Sequence, residues 1–167
     1  MNDKAIYVSN TAKYLGMTLD TKLRWKEHVK TKIKELNLKF AKMYWLLGRQ
    51  SQLSIYNKML LYQQMIKPVW VYGAQLWGCA SKTNILKIQK FQNKVLRCAV
   101  NAPRYMRMDR LHRDLNILSV EEVIADCAKW HRQRLRCHKN YEASRLLDST
   151  GAVRRLKRRK PADLIET

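Results

Sequence analysis

Between Glu35 and Asp109 the chain holds no carboxylate, although lysines and arginines keep arriving through that stretch, from Lys39 to Arg107. Two-metal phosphoryl transfer needs converging carboxylates, and this centre offers none. Asp20 has no acidic partner nearby to complete such a site. Glycine is scarce as well, five in 167 residues and none clustered, which excludes a glycine-rich phosphate loop. The four cysteines (Cys79, Cys98, Cys127 and Cys137) lack paired spacing and are expected as free thiols of a reducing compartment. The longest apolar run, Pro68 to Ala74, falls far short of the roughly 20 residues that a membrane span needs. Met-Asn-Asp-Lys at the start has no apolar core behind it, which argues against a secretory signal. The expectation is a soluble intracellular protein with no membrane partner.

What the chain has is cation and apolar surface. Lys and Arg total 34 against 13 Asp and Glu, a formal charge of +21. Such a surplus repels itself, and a polyanion is its natural counterweight. Hydrophobic residues make up 46%, with five Trp, eight Tyr and seven Met, too apolar for a disordered tail. A globule of this length buries roughly 70% of its unfolded-chain surface, so one domain with a real core is expected.

The pattern is mainly α. Residues 5–19 read as a hairpin: Ala5-Ile6-Tyr7-Val8 as one strand, Ser9-Asn10 as the turn, then Leu15, Met17 and Leu19 alternating with Gly16 and Thr18. A lone hairpin is marginal in water and needs a sheet or a helix to lie on, so the chain is expected to be a piece of something larger. Residues 22–47 read as one long helix with Trp25, Val29, Ile33, Leu36, Phe40 and Leu47 on a stripe and Lys22, Lys26, Lys30, Lys34 and Lys42 off it. Ser54 caps a second helix, which Pro68 bends or ends; Val69 to Gly73 reads as helix or strand, with helix favoured by its setting. Ser81 or Thr83 caps a third, with Ile85, Ile88, Val95 and Leu96 on one side and Lys87, Lys90, Lys94 and Arg97 on another. After Pro103 come a short helix over Asp109–Leu115 and a longer one opened by the capping box Ser119 to Glu122 and reaching Cys137. Asn140 caps a further turn or two through Leu147. Gly151 then releases a basic, flexible tail that cannot build a core, carrying Arg154, Arg155, Lys157, Arg158, Arg159 and Lys160. That tail reads equally as a nuclear-import signal or a phosphate clamp, which makes the expected location at least transiently nuclear. No internal repeat is visible.

Catalytic and metal motifs fail on spacing. Cys127, His131, Cys137 and His138 are close in sequence, but ten residues of continuous helix span roughly 15 Å. Ligands within about 2.3 Å of one zinc cannot cover that distance, so no metal site is assigned. His28 and His112 are isolated and read as packed or solvated side chains. Nucleic-acid binding has the best support: cationic helix faces interleaved with Trp25, Tyr44, Trp45, Tyr56, Tyr62, Trp70 and Trp77. Cations would neutralise phosphates and exposed rings would stack on unpaired bases, although most single rings are expected in the core.

The order of segments also resembles a known family. Lys13-Tyr-Leu-Gly-Met-Thr-Leu-Asp20, then Leu23-Arg-Trp-Lys-Glu-His28, resembles the stretch just after the palm in reverse transcriptases of non-LTR (LINE) retrotransposons of the jockey and X-element type. Ile66-Lys-Pro-Val-Trp-Val-Tyr-Gly73 with Leu76-Trp-Gly78 is similar to a downstream block of the same proteins. Ile88 to Arg97, Asn101-Ala-Pro103 and His112-Arg-Asp-Leu115 match as well. The likeness covers nearly the whole chain. It implies a thumb and C-terminal region without fingers or palm. The family's Tyr-x-Asp-Asp motif lies upstream of the Lys-Tyr-Leu-Gly block and does not occur here. It further implies that the parent activity is magnesium-dependent, RNA-directed DNA synthesis, that this chain is inactive alone and binds no cofactor itself, and that its partners are an RNA–DNA or DNA duplex and the missing fingers and palm. Lys13, Tyr14, Leu15 and Gly16 are similar to the primer grip, which seats a primer's 3′ end. Some relatives carry a C-terminal zinc knuckle whose spacing is absent here.

These readings give a mainly α helical bundle: a palm-edge or primer-grip-like hairpin over 1–20, a thumb-like helical region over 21–102, a C-terminal helical region over 103–150 and the basic tail over 151–167. The expected role is holding a duplex through Lys22, Arg24, Lys26, Lys30 and Lys34, the Lys87 to Arg97 face and the tail. The alternatives are a stand-alone or domesticated helical nucleic-acid-binding protein, and a docking module whose exposed patch of Trp70, Tyr72 and Trp77 meets a missing palm.

Overall fold

The computed structural model describes residues 9–142 and 161–164. The strand expected at Ala5–Val8, most of the turn expected after Asn140 and the tail cations Arg154, Arg155, Lys157, Arg158, Arg159 and Lys160 lie outside the described residues.

The hairpin forms two strands later than its sequence suggests. Strand β1 (Thr11–Tyr14) pairs antiparallel with β2 (Met17–Asp20), Tyr14 opposite Met17 and Thr11 opposite Asp20. The turn is Leu15-Gly16, not Ser9-Asn10. Both turn residues have positive φ (45° and 73°), the mirror-image turn whose twist suits a two-residue hairpin loop. Gly16 makes that turn accessible, whereas Ser9-Asn10 offers no glycine. As the sequence requires, the hairpin lies on helices. Met17 is buried, and the Thr18 amide donates to His28 Nδ1 (3.2 Å). The Tyr72 hydroxyl donates to the Leu15 carbonyl (2.8 Å).

The expected 22–47 helix is shorter and broken. Helix α1 (Lys26–Lys42) starts late because Leu23 and Trp25 sit in the left-handed region (φ 47° and 61°). Asp20 holds that approach, its carboxylate accepting the amides of Arg24 and Trp25 (3.0 Å each). Met43 interrupts the helix, and a single turn, α2 (Tyr44–Leu47), follows. Ser54 caps α3 (Ile55–Leu61) through the Asn57 amide. The chain then takes a π-helical turn (Tyr62–Ile66) before α4 (Lys67–Val71). Pro68 explains it: with no N–H and a ring that crowds the carbonyl four residues back, it forces the preceding turn wider. The Val69 to Gly73 segment is therefore helix up to Val71, and Gly73 (φ 69°) turns the chain into α5 (Ala74–Trp77).

Helix α6 (Lys82–Ala99) buries Ile85, Ile88, Phe91, Val95, Leu96 and Ala99 along one side. It pairs with α1 through an edge-to-face contact of Phe40 and Phe91 (6.2 Å). Helix α7 (Met108–Asp114) and α8 (Val120–Arg136), with the full capping box at Ser119 and Glu122, complete the bundle. Trp70, Trp77, Tyr62, Ile66, Ile88 and Leu96 form the fully buried centre. The docking patch expected of Trp70, Tyr72 and Trp77 does not exist: both tryptophans are interior and only Tyr72 is exposed. Pro161–Leu164 makes a 3-10 turn whose Leu164 is buried near Gly78, so the chain beyond Gly151 does contribute to the core.

A polar tie locks the last three helices. Gln89 Oε1 accepts the Val120 amide (2.8 Å), and Gln92 Nε2 donates to the Leu118 carbonyl (2.9 Å). His112 Nδ1 reaches the Ile117 carbonyl (2.8 Å), and its Nε2 meets Asn93 (3.1 Å) and Gln89 (3.3 Å). His112 is thus a half-buried fastener.

Candidate nucleic-acid interface

Lys26, Lys30 and Lys34 repeat every fourth residue on the solvent side of α1, and all three are exposed. Such a row rises about 6 Å per step, so it runs alongside roughly three to four phosphates of one strand, spaced about 3.4 Å along a duplex axis. Lys30 makes a 3.7 Å pair with Glu27, exposed on both sides and therefore weak. Lys22 and Arg24 are exposed on the segment that leads into α1.

Lys87, Lys90 and Lys94 form a similar exposed row on α6. Lys87 Nζ donates to Asn84 Oδ1 (3.1 Å), and Lys94 Nζ lies over the Phe40 ring of α1 (5.5 Å). The helices that carry the rows touch at two places. At one end the Phe40–Phe91 contact and Lys94 join the helices. At the other, Arg24, Lys26, Lys82 and Lys87 line one concavity of about 530 Å³.

Arg97 is a correction. It continues the α6 row by spacing, but its guanidinium turns inward and donates to the carbonyls of Pro103 (2.7 Å), Arg104 (3.3 Å) and Met106 (2.8 Å). Half-buried, it fastens the loop after α6. Lys58, another cation of the carboxylate-free stretch, is buried and donates to the Gly48 carbonyl (3.0 Å).

The primer-grip-like residues Lys13, Tyr14, Leu15 and Gly16 are all exposed at the hairpin tip. The Tyr72 ring stands 3.4 Å from the place of a Cβ on Gly16 and braces the tip together with the hydroxyl bond. Of the rings singled out in the sequence, Trp25, Tyr62, Trp70 and Trp77 are core, whereas Tyr44, Trp45 and Tyr56 are exposed on α2 and α3. Trp130, Tyr105 and Tyr141 are exposed too. Sequence reasoning missed them, although the polar neighbours of Trp130 in α8 were a usable signal.

His28 is buried between Trp25 and Trp77, and burial, with Lys32 nearby, holds its pKa below the ordinary range against the opposing pull of Glu35. Burial pushes the Cys79 and Cys127 thiols up, away from the reactive thiolate. All four cysteines are free thiols. Among the described residues no cluster of His, Cys, Asp and Glu side chains is placed to hold a metal ion. No helix among them is long and apolar enough to cross a membrane.

Comparison with known proteins places the sequence. The chain is 42% identical over 156 residues to a probable RNA-directed DNA polymerase from transposon X-element of Drosophila melanogaster, covering 93% of this chain and 17% of the relative. It is 40% identical over 148 residues to the probable RNA-directed DNA polymerase from transposon BS of the same organism, covering 89% and 16%. The RNA-directed DNA polymerase from mobile element jockey matches at 34% identity over 174 residues, covering 98% and 19%. The chain thus spans less than a fifth of the length of these relatives. No family model and no solved structure matches. Homologues of most of this chain are transposon RNA-directed DNA polymerases, as the motif order implies.

Proposed function

We propose that this chain is the duplex-holding, thumb-like segment of a transposon RNA-directed DNA polymerase. The observation that carries the reading is two exposed lysine rows on helices that touch, Lys26, Lys30 and Lys34 on α1 and Lys87, Lys90 and Lys94 on α6, the second row lying within the carboxylate-free stretch. Rows of this kind contact sugar–phosphate backbone and are tolerant of sequence, as a polymerase must be. The hairpin tip at Lys13, Tyr14, Leu15 and Gly16 would meet a primer end on this reading, which the bracing of the tip by Tyr72 supports. Lys22 and Arg24 flank the first row, and the tail from Arg154 to Lys160 adds a further basic segment. Magnesium and the carboxylates that hold it belong, on this reading, to the polymerase's palm. The chain alone is a binding segment without synthetic activity, at least transiently nuclear.

Fluorescence anisotropy with an RNA–DNA duplex tests this. Changing Lys26, Lys30 and Lys34 together to Gln is expected to flatten the dependence of log K on log salt by about 2 to 3. An equal charge loss on α8 (Lys129, Arg134 and Arg136 to Gln) is expected to change it far less. Equal losses from both variants would reduce the interaction to net charge and overturn the reading. Primer extension with Mg²⁺ is expected to give no product, and template-dependent synthesis by this chain would refute the inactive-segment assignment.

A further inference from the structure

We infer that the concavity between the starts of α1 and α6, where Lys26 and Lys87 begin the two lysine rows, is a discrete binding site for a phosphate group carried on a nucleotide. Arg24 and Lys26 form one wall, Lys82 and Lys87 the other, and no carboxylate lines it. Asp20, close by in the chain, gives both oxygens to the amides of Arg24 and Trp25.

The site is built as well as charged. Asp20 fixes the Arg24 wall in a backbone path with left-handed residues on either side, Leu23 and Trp25. Strain of this sort persists where the surrounding structure over-determines it. Asn84, with only 7% of its surface exposed, lines the concavity and orients Lys87 through its side-chain oxygen. At about 530 Å³ the space exceeds one phosphate and admits its sugar as well, with Leu23 and Ala80 as apolar wall. Opposed cations in a concavity focus field more strongly than the same cations in a line on a convex helix. The ligand is therefore held at one point, not smeared along the rows.

The source of the phosphate, a strand terminus or a backbone position, rests on the nucleic-acid reading above; the anion chemistry of the site does not. Nuclear magnetic resonance of the full chain separates the two. Inorganic phosphate is expected to shift the backbone amides of Lys82, Thr83 and Asn84 to saturation at concentrations that barely move those of Lys30, Lys34, Lys90 and Lys94. The variant Arg24→Gln/Lys82→Gln is expected to raise the half-saturating phosphate concentration at least tenfold, with the core resonances unchanged. Shifts of equal size at every lysine, or none at 82–84, would overturn the site. Duplexes with 5′-phosphate and 5′-hydroxyl ends then distinguish the sources. Tighter binding of the phosphorylated end at 82–84 assigns a terminal phosphate, and equal binding there assigns a backbone one. A duplex that moves the lysine rows but leaves 82–84 still refutes the site and spares the grip. A duplex that moves nothing, while phosphate saturates 82–84, refutes the grip and spares the site.

Discussion

His28 and Arg97 show how far a residue's type is from its role. Both sit among cations on helices with basic faces, and both face inward. His28 Nδ1 accepts the Thr18 amide, which fixes the neutral tautomer with the proton on Nε2. Because burial lowers its pKa in the fold, the unfolded chain binds the proton more readily as pH falls through the ordinary histidine range near 6.5. The stability His28 contributes is thus fully present above that range and is lost below it. Melting curves between pH 8 and pH 5 should show this loss, and His28→Asn, which keeps an acceptor for Thr18, should flatten that part of the profile. Arg97→Ala should destabilise by about 1–3 kcal/mol in denaturant titrations, because carbonyls of Pro103 and Met106 lose a charged donor. Its duplex affinity, measured while folded, should stay close to that of the parent chain. The spacing of Lys87, Lys90, Lys94 and Arg97 was legible in the sequence. The inward turn of Arg97 was not, because it depends on a loop folding back from residues beyond Pro103. The same holds for the rings: Trp70 and Tyr44 are alike in composition, and only packing makes one core and the other surface.

Among the elements, the helices with strong local signals stand close to where the sequence puts them. The capping box at Ser119, the cap at Ser54 and the apolar stripe of α6 are local devices, so their ends follow from neighbours in the chain. The misplaced α1 start and hairpin turn have backbone causes. The start of α1 is delayed by Asp20 holding Arg24 and Trp25, and the hairpin turn is chosen by the φ that Gly16 allows. Leu15 carries the cost of that turn, since a leucine at φ 45° is strained by roughly 1–2 kcal/mol. Leu15→Asn should therefore stabilise the hairpin by about 1 kcal/mol, read as a higher melting temperature, because asparagine suits the first position of this turn. The opposite sign is expected at Gly73→Ala. Gly73 has φ 69°, and a Cβ there would come within 2.8 Å of Met17 Sδ, pressing the corner before α5 against β2. If Leu15→Asn lowers the melting temperature instead, the tip is held by side-chain contacts of Leu15 and not by the turn and Tyr72.

At the scale of the molecule, the chain matches less than a fifth of each relative yet closes a core around Trp70 and Trp77. That core joins every major helix. Phe40 of α1 meets Phe91 of α6, α5 packs on α8, and Leu164 seals the side near Gly78. A body so connected should unfold as one unit even without the rest of a polymerase. Tryptophan fluorescence reads this directly, since Trp25, Trp70 and Trp77 are buried and red-shift on exposure, while Trp45 and Trp130 are exposed throughout. The expected result is a single transition that coincides with loss of helical circular dichroism. Leu164→Ala should lower that transition by about 2–5 kcal/mol, because a buried leucine from a segment distant in sequence leaves a cavity when cut back. Duplex at a hundred times its dissociation constant should raise the stability by about 2.7 kcal/mol, an increment that the Lys26, Lys30 and Lys34 variant should fail to reach at the same concentration. Two separated transitions, with helix lost before the tryptophans are exposed, would mean that the hairpin and α1 need a further surface to stay folded.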